Sequence, residues 1–93
     1  MTEIEEIVNS TSFTVYPNPA TDFIQINYAI QNDATCKVTI QNALGQIVAI
    51  VYEGSFYAGE NTFDYSTSLL ESGVYFISVE SEGTKETLKF IKN

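Results

Sequence analysis

Residues 12–19, Ser12-Phe13-Thr14-Val15-Tyr16-Pro17-Asn18-Pro19, alternate polar and apolar side chains and then stop at two prolines that flank one asparagine. Alternation with a period of two reads as a half-buried β-strand. Each proline fixes its own φ and lacks a backbone donor. Each also pushes the residue before it toward extended geometry. The stretch therefore predicts a first strand over residues 12–16, closed by a stiff, extended stop at the entrance of an all-β domain. None of these side chains offers catalytic chemistry, so any function the stretch marks is recognition or architecture.

The period of two continues outward from there. Ile24, Ile26 and Tyr28 alternate within residues 22–29, and Cys36, Val38 and Ile40 within residues 35–41. Residues 46–52 are apolar on both faces, which predicts a central strand. Phe63 marks residues 60–65, Tyr75, Ile77 and Val79 mark 74–81, and Leu88 with Phe90 marks 84–91. Asn42-Ala43-Leu44-Gly45 fits a tight hairpin loop with Gly45 at positive φ, and Glu82-Gly83 a shorter one. Gly54 and Gly59 bracket a longer loop carrying Phe56 and Tyr57, and residues 66–73 suit a crossing between sheets. Seven short strands with regular turn signals predict an all-β, immunoglobulin-like Greek-key β-sandwich. Ahead of them, Ile4, Ile7 and Val8 have helical spacing, and Thr2 with Glu5 resembles a capping box. One such turn is marginal alone, so residues 1–12 read as a linker and 13–93 as one domain.

Ninety-three residues suffice for a single small domain, and a 44% hydrophobic content with twelve aromatics can fill one core. A domain of this size buries roughly 60–65% of the surface its unfolded chain exposes. No apolar run approaches the ~20 residues of a membrane helix. The acidic start, Met1-Thr2-Glu3-Ile4-Glu5-Glu6, has no apolar segment of the kind a signal peptide needs. The net charge is −8, divided into −10 over residues 1–84 and +2 over residues 85–93. An acidic body argues against partners that are nucleic acid or anionic lipid. The single cysteine, Cys36, allows no intrachain disulfide, and its phase with Val38 and Ile40 predicts a small buried hydrophobe.

Catalytic constellations are missing. Without histidine there is no Ser–His–Asp or Cys–His arrangement and no neutral imidazole ligand for a metal. Cys36 alone makes no zinc site. The five glycines are dispersed, so no phosphate-cradling loop exists. Asp22, Asp33, Glu53 and Asp64 show no spacing that singles out a glycosidase pair. Asp22, Asn32 and Asp33 lack the spacing of a calcium loop. The expectation is a protein that is not an enzyme and uses no cofactor or metal. One alternative stays open: Phe56-Tyr57 as a stacking platform in an adhesive or carbohydrate-binding module.

Two further stretches carry more. In Leu70-Glu71-Ser72-Gly73-Val74-Tyr75, Tyr75 could close a sandwich corner through its hydroxyl, with Gly73 at the turn and Leu70 plugging the core. The same residues could instead be a recognition motif. On the last strand, Lys85, Thr87 and Lys89 share one face and Leu88 and Phe90 the other. Lysines on a terminal strand guard an edge against unwanted pairing, or a receptor reads an exposed basic end.

Taken in order, Tyr16-Pro17-Asn18-Pro19-Ala20, Ile24-Gln25-Ile26, Val38-Thr39-Ile40 leading to Leu44-Gly45-Gln46, Gly59-Glu60-Asn61, Asp64-Tyr65-Ser66, Leu70-Glu71-Ser72-Gly73-Val74-Tyr75 and Lys89-Phe90-Ile91-Lys92 form a series. This series resembles the type IX secretion system C-terminal sorting domain, type A, over residues 13–93. The resemblance implies a domain at the end of a larger exported protein. It would direct an N-terminal passenger from the periplasm through the outer-membrane translocon of a Gram-negative bacterium, to be secreted or displayed at the cell surface, without inserting into a membrane itself. A sortase-like surface peptidase would remove the domain by cutting within residues 1–12. The family's motifs fall on Pro17, Asn18 and Pro19, on Gly73 and Tyr75, and on Lys89, Phe90, Ile91 and Lys92, which the resemblance marks as translocon-recognition residues. Gln41-Asn42 departs from the Asp or Tyr-Asp that such domains often carry before the glycine of the third-to-fourth strand hairpin. That turn is still expected to form.

Overall fold

A computed structural model describes residues 10–93; the helical spacing expected around residues 4–8 lies outside them. Seven strands follow one another: β1 (Ser10–Tyr16), β2 (Phe23–Ile30), β3 (Ala34–Asn42), β4 (Ile47–Phe56), β5 (Gly59–Ser66), β6 (Gly73–Ser81) and β7 (Thr84–Lys92). They form two antiparallel sheets, ordered β1-β2-β5 and β4-β3-β6-β7. Three connections are hairpins within a sheet, and the β2–β3, β4–β5 and β5–β6 connections cross between sheets. This is the expected Greek-key sandwich, with the apolar phase of each strand turned inward.

The core follows the alternation. Ile24, Ile26, Tyr28 and Ile30 of β2 face Cys36, Val38 and Ile40 of β3 and Ile77 and Val79 of β6, all buried. Toward one end the rings of Phe13, Tyr28 and Phe56 pack at centroid distances of 5.4 and 5.6 Å, and Tyr52 and Phe63 continue the cluster. The Tyr28 hydroxyl, buried with its ring, donates to Oε2 of Glu86 at 3.1 Å. At the other end Tyr75 stacks on Phe90 with centroids 5.6 Å apart.

The β3–β4 hairpin forms as expected despite Asn42. Its Oδ1 accepts from the amides of Leu44 at 2.9 Å and Gln46 at 3.0 Å, and Gly45 takes φ +85°. The amide oxygen of Asn can fold the chain back in this way as well as a carboxylate.

Three expectations are corrected. Strand β4 is the edge of its sheet, not its centre. Its two-sided apolar pattern leaves Ile47 and Ile50, opposite Gln41 and Thr39 on the outward phase of β3, facing solvent. The expected loop between Gly54 and Gly59 is mostly strand: β4 runs to Phe56, and only Tyr57 and Ala58 separate it from β5. A β-carbon at Gly54 would lie 3.1 Å from the Tyr52 hydroxyl, so the glycine sits in close packing within β4 and not at a turn. Finally, residues 17–19 are bent rather than extended, with cis bonds at Tyr16–Pro17 and Asn18–Pro19. The segment leaves β1 in one sheet and brings Ala20 beside Lys92 in the other, a path that an extended stop does not follow.

Candidate functional site

The motif-bearing residues meet at the end of the sandwich where Tyr75 stacks on Phe90. Three stretches distant in sequence are joined there. The first is the bend after β1. Asn18 Oδ1 accepts from the Ile91 amide at 3.0 Å, the Ala20 amide donates to the Ile91 carbonyl at 2.7 Å, and the Asn93 amide donates to the Ala20 carbonyl at 2.9 Å. Ala20 and Lys92 thus form a parallel bridge, and Ala20 is fully buried. The proline segment closes the free edge of β7 along its last residues, where that strand would otherwise show bare amides and carbonyls.

The second stretch is the β5–β6 connection. Thr67 is buried; its amide donates to the Asp22 carbonyl at 2.9 Å and its hydroxyl to the Thr21 carbonyl at 3.2 Å. The Leu70 amide then returns to the Thr67 carbonyl at 3.0 Å, and the Leu70 side chain packs on the core. Tyr75 donates its hydroxyl to the Glu71 carbonyl at 2.7 Å. This is the tyrosine corner expected for a sandwich, and it fixes the path into β6. Gly73 opens β6 at φ +155°, toward a region that side chains avoid.

The third stretch is the end of β7. Phe90 is fully buried, and Lys92, on the same inward phase, is 8% exposed. The Lys92 ammonium donates to the Thr67 carbonyl at 2.8 Å and to the Leu70 carbonyl at 2.7 Å. It therefore ties the last strand to the β5–β6 connection in the way a cation holds the carbonyls at a helix end. Of the two readings open for the basic end, a fully exposed one does not hold for Lys92: Lys89 and Ile91 point outward, but Lys92 points in. Strand phase carries this information, since Leu88, Phe90 and Lys92 share parity.

The candidate residues accordingly divide into two groups. Tyr75, Phe90 and Lys92 are buried, whereas Pro17, Asn18, Pro19, Gly73, Lys89 and Ile91 are exposed around them. Sequence reasoning missed Thr67, which nothing in its neighbourhood distinguishes from any other loop threonine. It also missed the Asn18 side chain as the acceptor for the Ile91 amide.

The alternative aromatic platform is corrected as well. Phe56 is a core residue, 3% exposed, so Tyr57 stands without its partner on the surface. Asp33, weighed as a cation ligand, accepts from the Ala58 amide at 2.8 Å and braces the β4–β5 turn. Cys36 is buried, and burial pushes its thiol pKa up; the Ser81 hydroxyl beside it lowers it and Glu82 raises it.

A family model described as the secretion system C-terminal sorting domain matches residues 14–93. No curated protein matches the chain.

Proposed function

Because the chain belongs to the family of secretion system C-terminal sorting domains, we propose that residues 13–93 carry an upstream passenger through the type IX outer-membrane translocon. The family is one of sorting signals and not of enzymes, and a protein bearing such a tail is secreted or displayed on a bacterial surface. In the proposed route the passenger has already reached the periplasm. A sortase-like peptidase at the cell surface then cuts within residues 1–12, a linker between passenger and sandwich.

The observation that carries this reading is the convergence of three motifs on one end of the fold. Asn18 and Lys92 bond backbone groups of a neighbouring stretch, Ile91 and Thr67 with Leu70, and Tyr75 bonds Glu71 within its own and stacks on Phe90 of β7. Buried motif residues set the shape of that end, and the exposed Pro17, Pro19, Lys89 and Ile91 are what a receptor would touch.

The test fuses residues 1–93 to a folded reporter in a bacterium that has the secretion system. The reporter is expected in the medium or on the surface, with the junction cut ahead of residue 13. Reporter held in the periplasm on a well-folded domain defeats the proposal, and export without cutting removes the peptidase step alone.

A further inference from the structure

The outward faces of the two sheets differ in kind. On β1-β2-β5 the outward side chains satisfy one another. Tyr16 bonds Gln25, Gln25 Nε2 donates to Asp64 at 3.3 Å, and Asn27 bonds Thr14 at 3.3 Å and Thr62 at 2.7 Å. Phe23, at the start of β2, is the apolar exception on that face, 46% exposed.

On β4-β3-β6-β7 the outward residues fall into rows set by the strand register. One row reads Glu53, Lys37, Glu80, Lys85, alternating in charge across all four strands. The next reads Ile50, Thr39, Ser78, Thr87, and the next Ile47, Gln41, Phe76, Lys89. Val74 opposite Ile91 ends the series beside the proline segment. The apolar residues of this face lie in two patches: Ile47 and Ile50 on β4, each 56% exposed, and Val74 with Ile91 beside Phe76 on β6 and β7, the first two nearly 40% exposed. Apart from the buried Lys92, every lysine of the chain lies on this face, three against two glutamates, in a protein of net charge −8.

We propose that this outward face is a docking surface for a protein of the secretion apparatus, one that presents apolar groups to Ile47, Ile50, Val74 and Ile91 and acidic groups to Lys85 and Lys89. The inference rests on the sorting function proposed above and assigns it a surface. Exposed apolar patches set among polar and charged residues mark interaction sites. The charge complement selects the occupant. An acidic partner is repelled by the rest of this molecule and attracted only here, which orients the encounter. The alternation of Glu with Lys fits a patterned protein surface better than a uniformly anionic lipid layer. Docking is by the face and not by strand addition at β4. That edge carries two irregularities of register, between Val38 and Thr39 and between Ile40 and Gln41, which twist an edge away from a further strand.

The experiment uses the reporter fusion with Ile50→Glu and Lys89→Glu on this face, and Thr14→Glu on the other face as control. Export is expected to fall at least about tenfold for both face variants and to stay within about twofold for the control, with melting temperatures of the purified domains unchanged. Lys89→Glu, at an exposed position, stands alone if Ile50→Glu melts early. A photo-crosslinking residue at position 50 is expected to capture a secretion-apparatus protein, and one at position 14 none. Full export of Lys89→Glu by cells that export the parent fusion overturns the docking surface and leaves the sorting function standing. Failure of the parent fusion itself removes both. Binding of the purified domain to phosphatidylglycerol vesicles, lost in Lys89→Glu, overturns it in favour of lipid. A dimer in sedimentation, dissociated by Ile50→Glu, overturns it in favour of a second copy.

Discussion

Lys92 is a charged side chain inside a small domain, and what it bonds are carbonyls, not a carboxylate. Hydrogen bonds from a charged donor contribute about 1.5–3 kcal/mol, and removing the donor leaves two carbonyls to find water. Lys92→Met keeps the aliphatic stem and is expected to cost about 2 kcal/mol, lowering the melting temperature by roughly 10 °C in a domain of this size. Lys89→Met, outward on the same strand, is expected to change it by no more than a degree or two. Calorimetry on the pair checks this, and equal melting temperatures would remove the clamp from the account of stability. Tyr75→Phe removes one bond, to the Glu71 carbonyl, and is expected to cost about 1 kcal/mol. A fall in the urea midpoint at unchanged slope is the signature. Cys36 adds a pH dependence. Burial raises its pKa, so the folded protein holds the thiol proton more tightly than the unfolded chain does. That contribution is full below the ordinary thiol range and is lost as pH rises through the folded value. Stability is therefore expected to fall on the alkaline side, and less steeply in Cys36→Ala. Parallel declines in the two proteins would exonerate the thiol.

At the scale of elements, alternation made most strands legible, an apolar run marked the fourth, and the hairpins at Gly45 and Gly83 were legible from turn chemistry. What misled was ambiguity of cause. Apolar residues on both faces of 46–52 read as a central position; in the fold β4 is an edge with Ile47 and Ile50 exposed. Gly54 looked like turn punctuation, yet it makes room for Tyr52. The motif prolines told where β1 ends but not where the chain goes next, because the target, the edge of β7, lies across the sandwich. Lys92 was grouped with its neighbours in sequence although its strand phase puts it with Phe90. The bond between Asn18 and Ile91 can be tested directly. In Asn18→Ala the Ile91 amide is expected to exchange with deuterium at least about tenfold faster, while amides in the middle of β2 keep their protection, as local opening requires. Uniform acceleration would mean that the bend supports global stability and does not close one edge.

The whole molecule has two unlike broad faces and two unlike ends. One face is largely a hydrogen-bonded polar net, and the other carries the exposed lysines with two apolar patches beside them. One end is an aromatic cluster around Tyr28 and Phe56, and the other is the junction of the three motifs. Removing residues 89–93 takes Phe90 and Lys92 together, and with them the partners of Asn18 and Ala20. The truncated sandwich is expected to lose its cooperative melt while a fused passenger keeps its own, which circular dichroism with a passenger activity assay distinguishes. A two-state melt of the sandwich at the parent temperature would show that the junction is dispensable.

The bonds that join Asn18 to Ile91 and Ala20 to Asn93 run between opposite ends of the domain's sequence. Contacts so far apart in sequence form late, once loop closure has been offset by the rest of the fold. A ribosome must also deliver residue 92 before the proline segment has anything to lie against. The junction is therefore a mark of completion: a chain cut short, or still unfolded behind its passenger, does not possess it. An apparatus that reads this end would in the same act inspect the cargo for a finished tail.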